Sequence, residues 1–163
     1  PNPDYAIKDL SYELKIYDAS GAILKTIEGK SFIYGGEIKY VAEPAINLSG
    51  SVAVRAEYEI KNLVWIKAEN FAKTNLAVQS QGATILGDNI QVIGRVLNQD
   101  TATFPGVKII AVISDDAGNQ MGVSETQIED LLHGESRNFV IIHPNMQGVN
   151  IGATQIFVYA ARP

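Results

Sequence analysis

The 163-residue chain has no cysteine, so it forms no disulfide and offers no thiolate to a metal or a substrate. Basic residues are also few: 13 lysines and arginines stand against 18 aspartates and glutamates, and the net charge is −5. This balance argues against nucleic acid as a partner, because lysine and arginine contacts to phosphates supply much of that binding energy. No apolar run approaches the ~18 residues of a membrane-spanning helix. Hydrophobic residues still make up 46% of the chain, enough to bury a core.

Alternation of apolar and polar residues with a period of two is the dominant pattern, and it is typical of strands with one face on a core. It is strict over residues 52–61, clear over residues 11–16 and looser over residues 90–97. Two nearly continuous apolar runs, residues 107–113 and 139–142, are typical of strands buried on both faces. Turn sequences rich in Gly, Asp and Asn separate these segments, at residues 18–21, 34–37, 87–89 and 115–119. The sequence therefore predicts an all-β protein.

Three groups of residues recur along the chain at nearly constant spacing. Asn2 and Asp4 recur as Asn98 and Asp100, and the segment 16–21 recurs at 113–118. The third group, which includes Gly36-Glu37, recurs around Gly134-Glu135. A period near 97 is the size of one immunoglobulin-like sandwich, about 100 residues. We therefore expect two tandem immunoglobulin-like antiparallel β-sandwiches, one formed by residues 1–65 and the other by residues 66–163.

The expected copies differ at their beginnings. In the second copy 32 residues precede Asn98, with two candidate strands at 75–79 and 90–97, whereas only Pro1 precedes Asn2. The sequence suggests a fragment of a longer parent chain, in which any membrane anchor lies outside this segment. The alternative is a sandwich with an open edge that accepts a strand from a protein partner.

The segment Leu14-Lys15-Ile16-Tyr17-Asp18 resembles the FxLYD family, bacterial immunoglobulin-like modules named for an aromatic-x-Leu-Tyr-Asp strand ending. Tyr17 and Asp18 match the motif and Gly21 follows as expected, while Leu14 and Ile16 replace the aromatic residue and the leucine. In the second copy Asp115 is retained and Ala111, Ile113 and Ser114 occupy the other motif positions. The resemblance implies an extracytoplasmic β-sandwich, in the cell envelope or secreted, with structural motifs rather than catalytic ones.

Two sets of residues are candidate sites. The first is a pair of structural turns in which an aspartate caps the turn and glycine accepts a positive φ. Its members are Tyr17, Asp18, Gly21, Asp115 and Gly118. The second is an aromatic platform for stacking sugar rings, formed by Tyr34, Tyr40, Trp65 and Phe71. Against this platform, the run 64–66 predicts that Trp65 is buried between the copies.

The sequence predicts no catalytic residue, no cofactor and no metal. The acidic segment 115–119 lacks the alternating ligand register of an EF-hand, and two histidines without cysteine do not make a zinc site. We therefore expect a non-enzymatic spacer, scaffold or interaction module whose partner is another protein or the rest of a longer chain. Two alternatives stay open: binding of carbohydrate or peptide, and assembly by strand donation at the open edge of the first copy.

Overall fold

The computed structural model describes residues 2–43 and 46–162. These residues form nine strands and one 3₁₀ turn, Ala68–Asn70, which confirms the all-β prediction. The strands are β1 (Tyr5–Tyr17), β2 (Ile23–Ile33), β3 (Arg55–Lys67), β4 (Leu76–Leu86), β5 (Asn89–Asn98), β6 (Phe104–Asp115), β7 (Gln120–Leu131), β8 (Ser136–Pro144) and β9 (Val149–Ala160). All pairings between them are antiparallel.

The chain divides into two compact units, Pro1–Lys73 and Thr74–Pro163, called unit 1 and unit 2. In unit 1 the described strands make one three-stranded sheet in the order β2-β1-β3. Unit 2 has two three-stranded sheets, β4-β5-β8 and β7-β6-β9. The boundary expected between residues 65 and 66 falls inside β3, ahead of this division.

The two sheets of unit 2 share one apolar core. Strands β5 and β8 contribute Ile90, Val92 and Phe139, which pack with alternate residues of β6. Those β6 residues, Val107, Ile109, Ala111 and Ile113, are all 0% exposed. Residues Ile110 and Val112 on the other face of β6 are also buried, so the run 107–113 is buried on both faces as predicted.

The run 139–142 in β8 behaves differently from this prediction. Phe139 and Ile141 are buried, whereas Val140 is 49% and Ile142 52% exposed. The expectation of burial on both faces is therefore wrong here. The physical reason is that alternate side chains of β8 point toward the β6 sheet and away from it, and the outward face of this sheet is exposed, as Ile93 of the central strand β5 also shows at 44% exposure.

Unit 1 builds its small core on the central strand β1. Ile7, Leu10 and Tyr12 are buried, and Ile33 of β2 and Leu63 of β3 pack against them. The segment 52–60 does not have the covered face that its alternation predicts, because Val52 is 75% and Ile60 is 50% exposed. Strand β3 begins only at Arg55, so Val52 lies before the ladder.

The sheets β2-β1-β3 and β7-β6-β9 have the same strand order and nearly the same register. Tyr12 lies opposite Gly29, and the residues 97 positions later, Ile109 and Thr126, also lie opposite each other. The spacing of 97 holds along the whole β1–β2 and β6–β7 ladders until their last pairs, Ile7 with Ile33 and Phe104 with Leu131. In both ladders a register shift precedes the last paired residue of the central strand before the turn, Tyr17 in β1 and Ser114 in β6.

Candidate interaction surface

The turn between β1 and β2 is held by one carboxylate. Asp18 Oδ1 accepts hydrogen bonds from the backbone N–H of Ser20 at 2.8 Å and of Ala22 at 2.9 Å, and from the Ser20 hydroxyl at 2.7 Å. Gly21 has φ of 85°, a conformation that suits glycine. The Ser20 hydroxyl, followed by the backbone donors, lowers the pKa of Asp18. The carboxylate is thus engaged in fixing the turn.

The turn between β6 and β7 repeats this arrangement 97 residues later. Asp115 Oδ1 accepts hydrogen bonds from the backbone N–H of Ala117 at 2.9 Å and of Asn119 at 2.8 Å, and Gly118 has φ of 83°. The Asn119 side-chain amide also donates to Asp115 Oδ2 at 2.8 Å and is the largest cause of the lowered pKa of Asp115. Both oxygens of Asp115 therefore serve the turn as acceptors.

Tyr17, the aromatic member of the predicted motif, links β1 to the edge strand β3. Its hydroxyl donates to Glu57 Oε2 at 2.8 Å, and the Arg55 guanidinium lies 4.1 Å from its ring centroid. The hydrogen bond to Glu57 raises the pKa of Tyr17. The side chain thus acts as a cross-strand contact on one face of the sheet.

A second pair of matching turns follows β2 and β7. Gly36 N–H donates to the carbonyl of Asn2 at 2.8 Å, and Gly134 N–H donates to the carbonyl of Asn98 at 2.9 Å. Both glycines have positive φ, 70° and 73°. The residue that follows each glycine, Glu37 or Glu135, accepts a hydrogen bond through its carboxylate from the backbone three residues earlier.

Sequence reasoning noticed Asn98 and Asp100 as repeated landmarks but missed their role in the core of unit 2. The Asn98 amide is 0% exposed and donates to the carbonyls of Ala102 and Leu131 at 2.8 and 3.1 Å. Asp100 is 6% exposed and accepts from Arg162 Nη2 at 2.7 Å. A backbone hydrogen bond from Asn75 is the largest cause of the lowered pKa of Asp100. These polar groups are buried with partners, which is the condition for burying them at low cost.

The four aromatic residues of the predicted platform have very different exposures. Tyr34 is 2% exposed and packs against Phe71, with ring centroids 4.7 Å apart. Phe71 and Tyr40 are half-buried. Trp65 is 55% exposed, so the prediction that it is buried is wrong. Trp65 can therefore offer a face to a ligand in this conformation, whereas Tyr34 cannot.

Trp65 belongs to a row of exposed apolar side chains on β3. Tyr58 and Ile60 are each 50% exposed. They lie opposite Leu14 and Tyr12 of β1, and Trp65 lies opposite Ile7. Since directly opposed residues of an antiparallel ladder share a face, this row continues the small core of unit 1 outward. We call Tyr58, Ile60 and Trp65 the β3 apolar row.

The Tyr12 ring marks the centre of that face. It stacks on Tyr58 with ring centroids 5.0 Å apart and lies over Gly29, where a Cβ would overlap it. Its hydroxyl donates to Glu43 Oε1. Glu43 belongs to the segment 38–43, which follows β2 and is assigned to no strand. This segment therefore contacts the apolar face above β1.

The opposite face of the same sheet is charged. Glu13 Oε1 lies 2.8 Å from Lys15 Nζ and 3.0 Å from Lys61 Nζ, and Lys61 also pairs with Glu59 at 2.6 Å. The hydrogen bonds from Lys15 and then Lys61 lower the pKa of Glu13. Lys15, Lys61 and Glu59 are 31%, 41% and 60% exposed, and ion pairs with such partners contribute little stability each, so they favour a solvated face rather than a second core.

A serine–histidine contact in unit 2 has no sequence signal, because its members are 19 residues apart and come from different sheets. Ser124 Oγ lies 2.8 Å from His143 Nδ1, and burial lowers the pKa of His143. A Cβ added to Gly122 would overlap His143 Nε2 and would lie 3.0 Å from Met146 Cε. The far side of the ring is thus packed against protein, and the pair acts as a bridge between β7 and β8.

Within residues 2–43 and 46–162, no group of three or more His, Asp and Glu side chains is arranged to hold a metal ion. Over the same ranges, no helix has the length and apolar character needed to traverse a bilayer. In comparisons with protein-family models, curated proteins and solved structures, nothing matches this chain.

Proposed function

We propose that this chain is a non-enzymatic structural and interaction module made of two related immunoglobulin-like repeats. The observation that carries the proposal is the duplicated turn: Asp18 and Asp115 accept hydrogen bonds from backbone donors at the same two relative positions. The matching registers of the two sheets, spaced by 97 residues, support it. What recurs between the units is thus turn and ladder geometry rather than a set of reactive groups.

Such a module acts by holding its ends and surfaces in fixed positions. Long antiparallel strands closed by carboxylate-capped turns restrict the backbone, and the buried Asn98 ties two turns and a strand of unit 2 together. The resemblance of residues 14–18 to the FxLYD motif supports an extracytoplasmic setting, where modules of this kind serve as spacers. Its partners would be a protein or further parts of a longer chain.

Calorimetry tests the repeat architecture. If each unit folds as a separate module, the full chain unfolds in two transitions, and Asp18→Ala lowers one of them while Asp115→Ala lowers the other. Asp18→Asn and Asp115→Asn serve as controls, because asparagine keeps the one oxygen that accepts from the backbone N–H groups, although at position 115 the bond from the Asn119 amide is lost. A single transition that both alanine variants lower equally would contradict the proposal. Fractionation of the source cells, with protease added from outside, tests the extracytoplasmic setting.

Carbohydrate binding is a second candidate, and the exposed Trp65 is the observation that favours it. An indole ring accessible on one face can stack on a sugar ring. A glycan array probed with the full chain tests this function. Binding that is lost in Trp65→Ala and retained in Tyr34→Phe, a change within the buried cluster, would support it.

A further inference from the structure

Strand β3 carries exposed apolar side chains next to the core of unit 1. Buried β1 residues and exposed β3 residues lie directly opposite each other: Tyr12 is 5% exposed and Ile60 50%. In unit 2 the residues at the same ladder positions are Ile109 and Val158, and both pack in the core. The β3 apolar row is therefore uncovered at positions where its counterpart in β9 is covered.

Unit 2 shows which strands provide that cover. The edge strand β4 packs against β9, while β8 packs against β7 on the other side of the sandwich and β5 lies between β4 and β8. Val92 of β5 and Ile141 of β8 face the core that Ile156 and Val158 of β9 line. The cover over β9 thus comes from the β4–β5 pair.

In unit 1 the place that corresponds to β8 is already taken. The segment 38–43 follows β2 as β8 follows β7, and its Glu43 accepts the hydrogen bond from Tyr12. Ala42 of this segment is 6% exposed. The position without a counterpart among the described residues of unit 1 is therefore that of β4 and β5, directly above β3.

We infer that the β3 apolar row is a docking site for a pair of antiparallel strands with the chemistry of β4–β5. This inference rests on the relation between the units proposed above. The partner would place β-branched aliphatic residues, as Ile90 and Val92 do in unit 2, on the face toward unit 1. Two features define it: the row continues the core of Ile7, Leu10 and Tyr12, and its three members are themselves uncharged, with the Glu43 carboxylate bound to Tyr12 at its border.

The distribution of charge determines which face of the sheet the partner covers. On β3 the residues that follow Tyr58 and Ile60, Glu59 and Lys61, are charged and form ion pairs on the opposite face of the sheet. An uncharged strand pair would therefore be favoured on the Tyr58 face and disfavoured on the ion-paired face, because covering the ion pairs removes their water. One face of the sheet thus fits the partner and the other does not.

The test uses the full chain and a synthetic peptide of residues 74–98, which contains β4, β5 and no tryptophan. Trp65 is the only tryptophan of the chain and lies in the proposed site, so its fluorescence reports on occupancy. We expect a saturable blue shift of its emission and protection from iodide quenching as the peptide is added. A peptide of the same composition in scrambled order serves as the first control.

Variants locate the binding face. Ile60→Lys places a charge in the β3 apolar row and is expected to weaken peptide binding at least about tenfold, equal to ~1.4 kcal/mol. Val64→Lys is the matched control, because Val64 is 43% exposed on the same strand but lies opposite Asp9, off the row. Both changes are at exposed positions, and circular dichroism checks that the fold is kept.

Three outcomes would overturn the inference: no shift of Trp65 emission with the peptide, equal weakening by Ile60→Lys and Val64→Lys, or a concentration-dependent dimer that already shields Trp65 without peptide. The last result would assign the row to a second copy of the chain. None of these depends on the calorimetric test. Two independent transitions together with a failed titration would therefore reject the docking site alone and leave the proposed modules standing.

Discussion

The sheets β2-β1-β3 and β7-β6-β9 share their order and register but differ in what lies on their two faces. At the positions where β1 carries Glu13 and Lys15, the central strand β6 carries Ile110 and Val112. The first pair belongs to an ion network, whereas the second pair is 0% and 3% exposed. The ladder therefore does not dictate the chemistry of its faces, because backbone hydrogen bonds form whichever way the side chains differ.

On the other face the two sheets carry the same kind of residue but differ in its exposure. Tyr58 and Ile60 of β3 are half exposed, while Ile156 and Val158, their counterparts in β9, pack against the core of unit 2. Apolar residues recur at both sites although only one is covered. Turns and register therefore specify the sheet, whereas cover by a second sheet determines how much stability the apolar face of the first sheet contributes.

The largest effect is expected where the cover is complete. Ile109→Ala removes a side chain that is 0% exposed in the core of unit 2, and we expect it to lower the free energy of unfolding by about 2–5 kcal/mol. Ile60→Ala removes the same kind of side chain from the β3 apolar row, where the loss should stay within about 0.5 kcal/mol. Urea unfolding of both variants measures the difference. Equal losses would mean that Ile60 is covered in solution.

The next effect separates two asparagines 96 residues apart. Asn98 and Asn2 both accept a hydrogen bond from the aspartate N–H two residues later, at 2.9 and 3.0 Å. Only the Asn98 amide is buried, and its removal leaves carbonyls without a donor, so Asn98→Ala should cost about 2 kcal/mol. Asn2→Ala should change the unfolding midpoint little, since Asn2 is exposed. Comparable losses in urea unfolding would contradict this distinction.

Much of the fold could be predicted because strands and turns are local. Alternation identified the strands that contain residues 11–16 and 90–97, and a continuous apolar run identified the strand that contains residues 107–113. Aspartate with glycine identified the turns after β1 and β6. Alternation also suggested a covered face for 52–60, and this was wrong. A period of two shows that a face is apolar, but the presence of a second sheet above it is a tertiary fact that the strand itself does not encode.

The candidate site was harder to predict for the same reason. Tyr34 and Trp65 are both aromatic residues near strand ends, yet one is buried among other rings and the other is exposed on β3. The contact between Ser124 and His143 joins different sheets and left no trace in local spacing. Asn98 and Asp100 did leave a trace, since they repeat Asn2 and Asp4, but the repetition did not indicate that they are buried.

A histidine-dependent effect of pH on stability should arise in unit 2 and have no counterpart in unit 1, because both histidines follow Lys73 in the chain. Burial lowers the pKa of His143, so the unfolded chain binds the proton more readily. The stability is therefore complete above the unfolded pKa of about 6.5 and declines as the pH falls through that value. Because His143 is only partly buried, the decline is expected to be small. We expect His143→Phe to flatten the profile of unfolding midpoint between about pH 7 and pH 5; an unchanged profile would assign the effect elsewhere.

The smallest expected difference lies between the two turns, which share their capping geometry. The native hydrogen bonds lower the pKa of Asp18 and of Asp115, so each carboxylate stabilises its turn above its unfolded pKa, and that stabilisation is lost as the pH falls through the lower native value. Asp18→Ala and Asp115→Ala should each lower the melting temperature slightly at neutral pH. Asp115→Ala should cost more, because Asp115 also binds the Asn119 amide. A larger loss in Asp18→Ala would show that the turn of unit 1 depends on its cap more than matching geometry predicts.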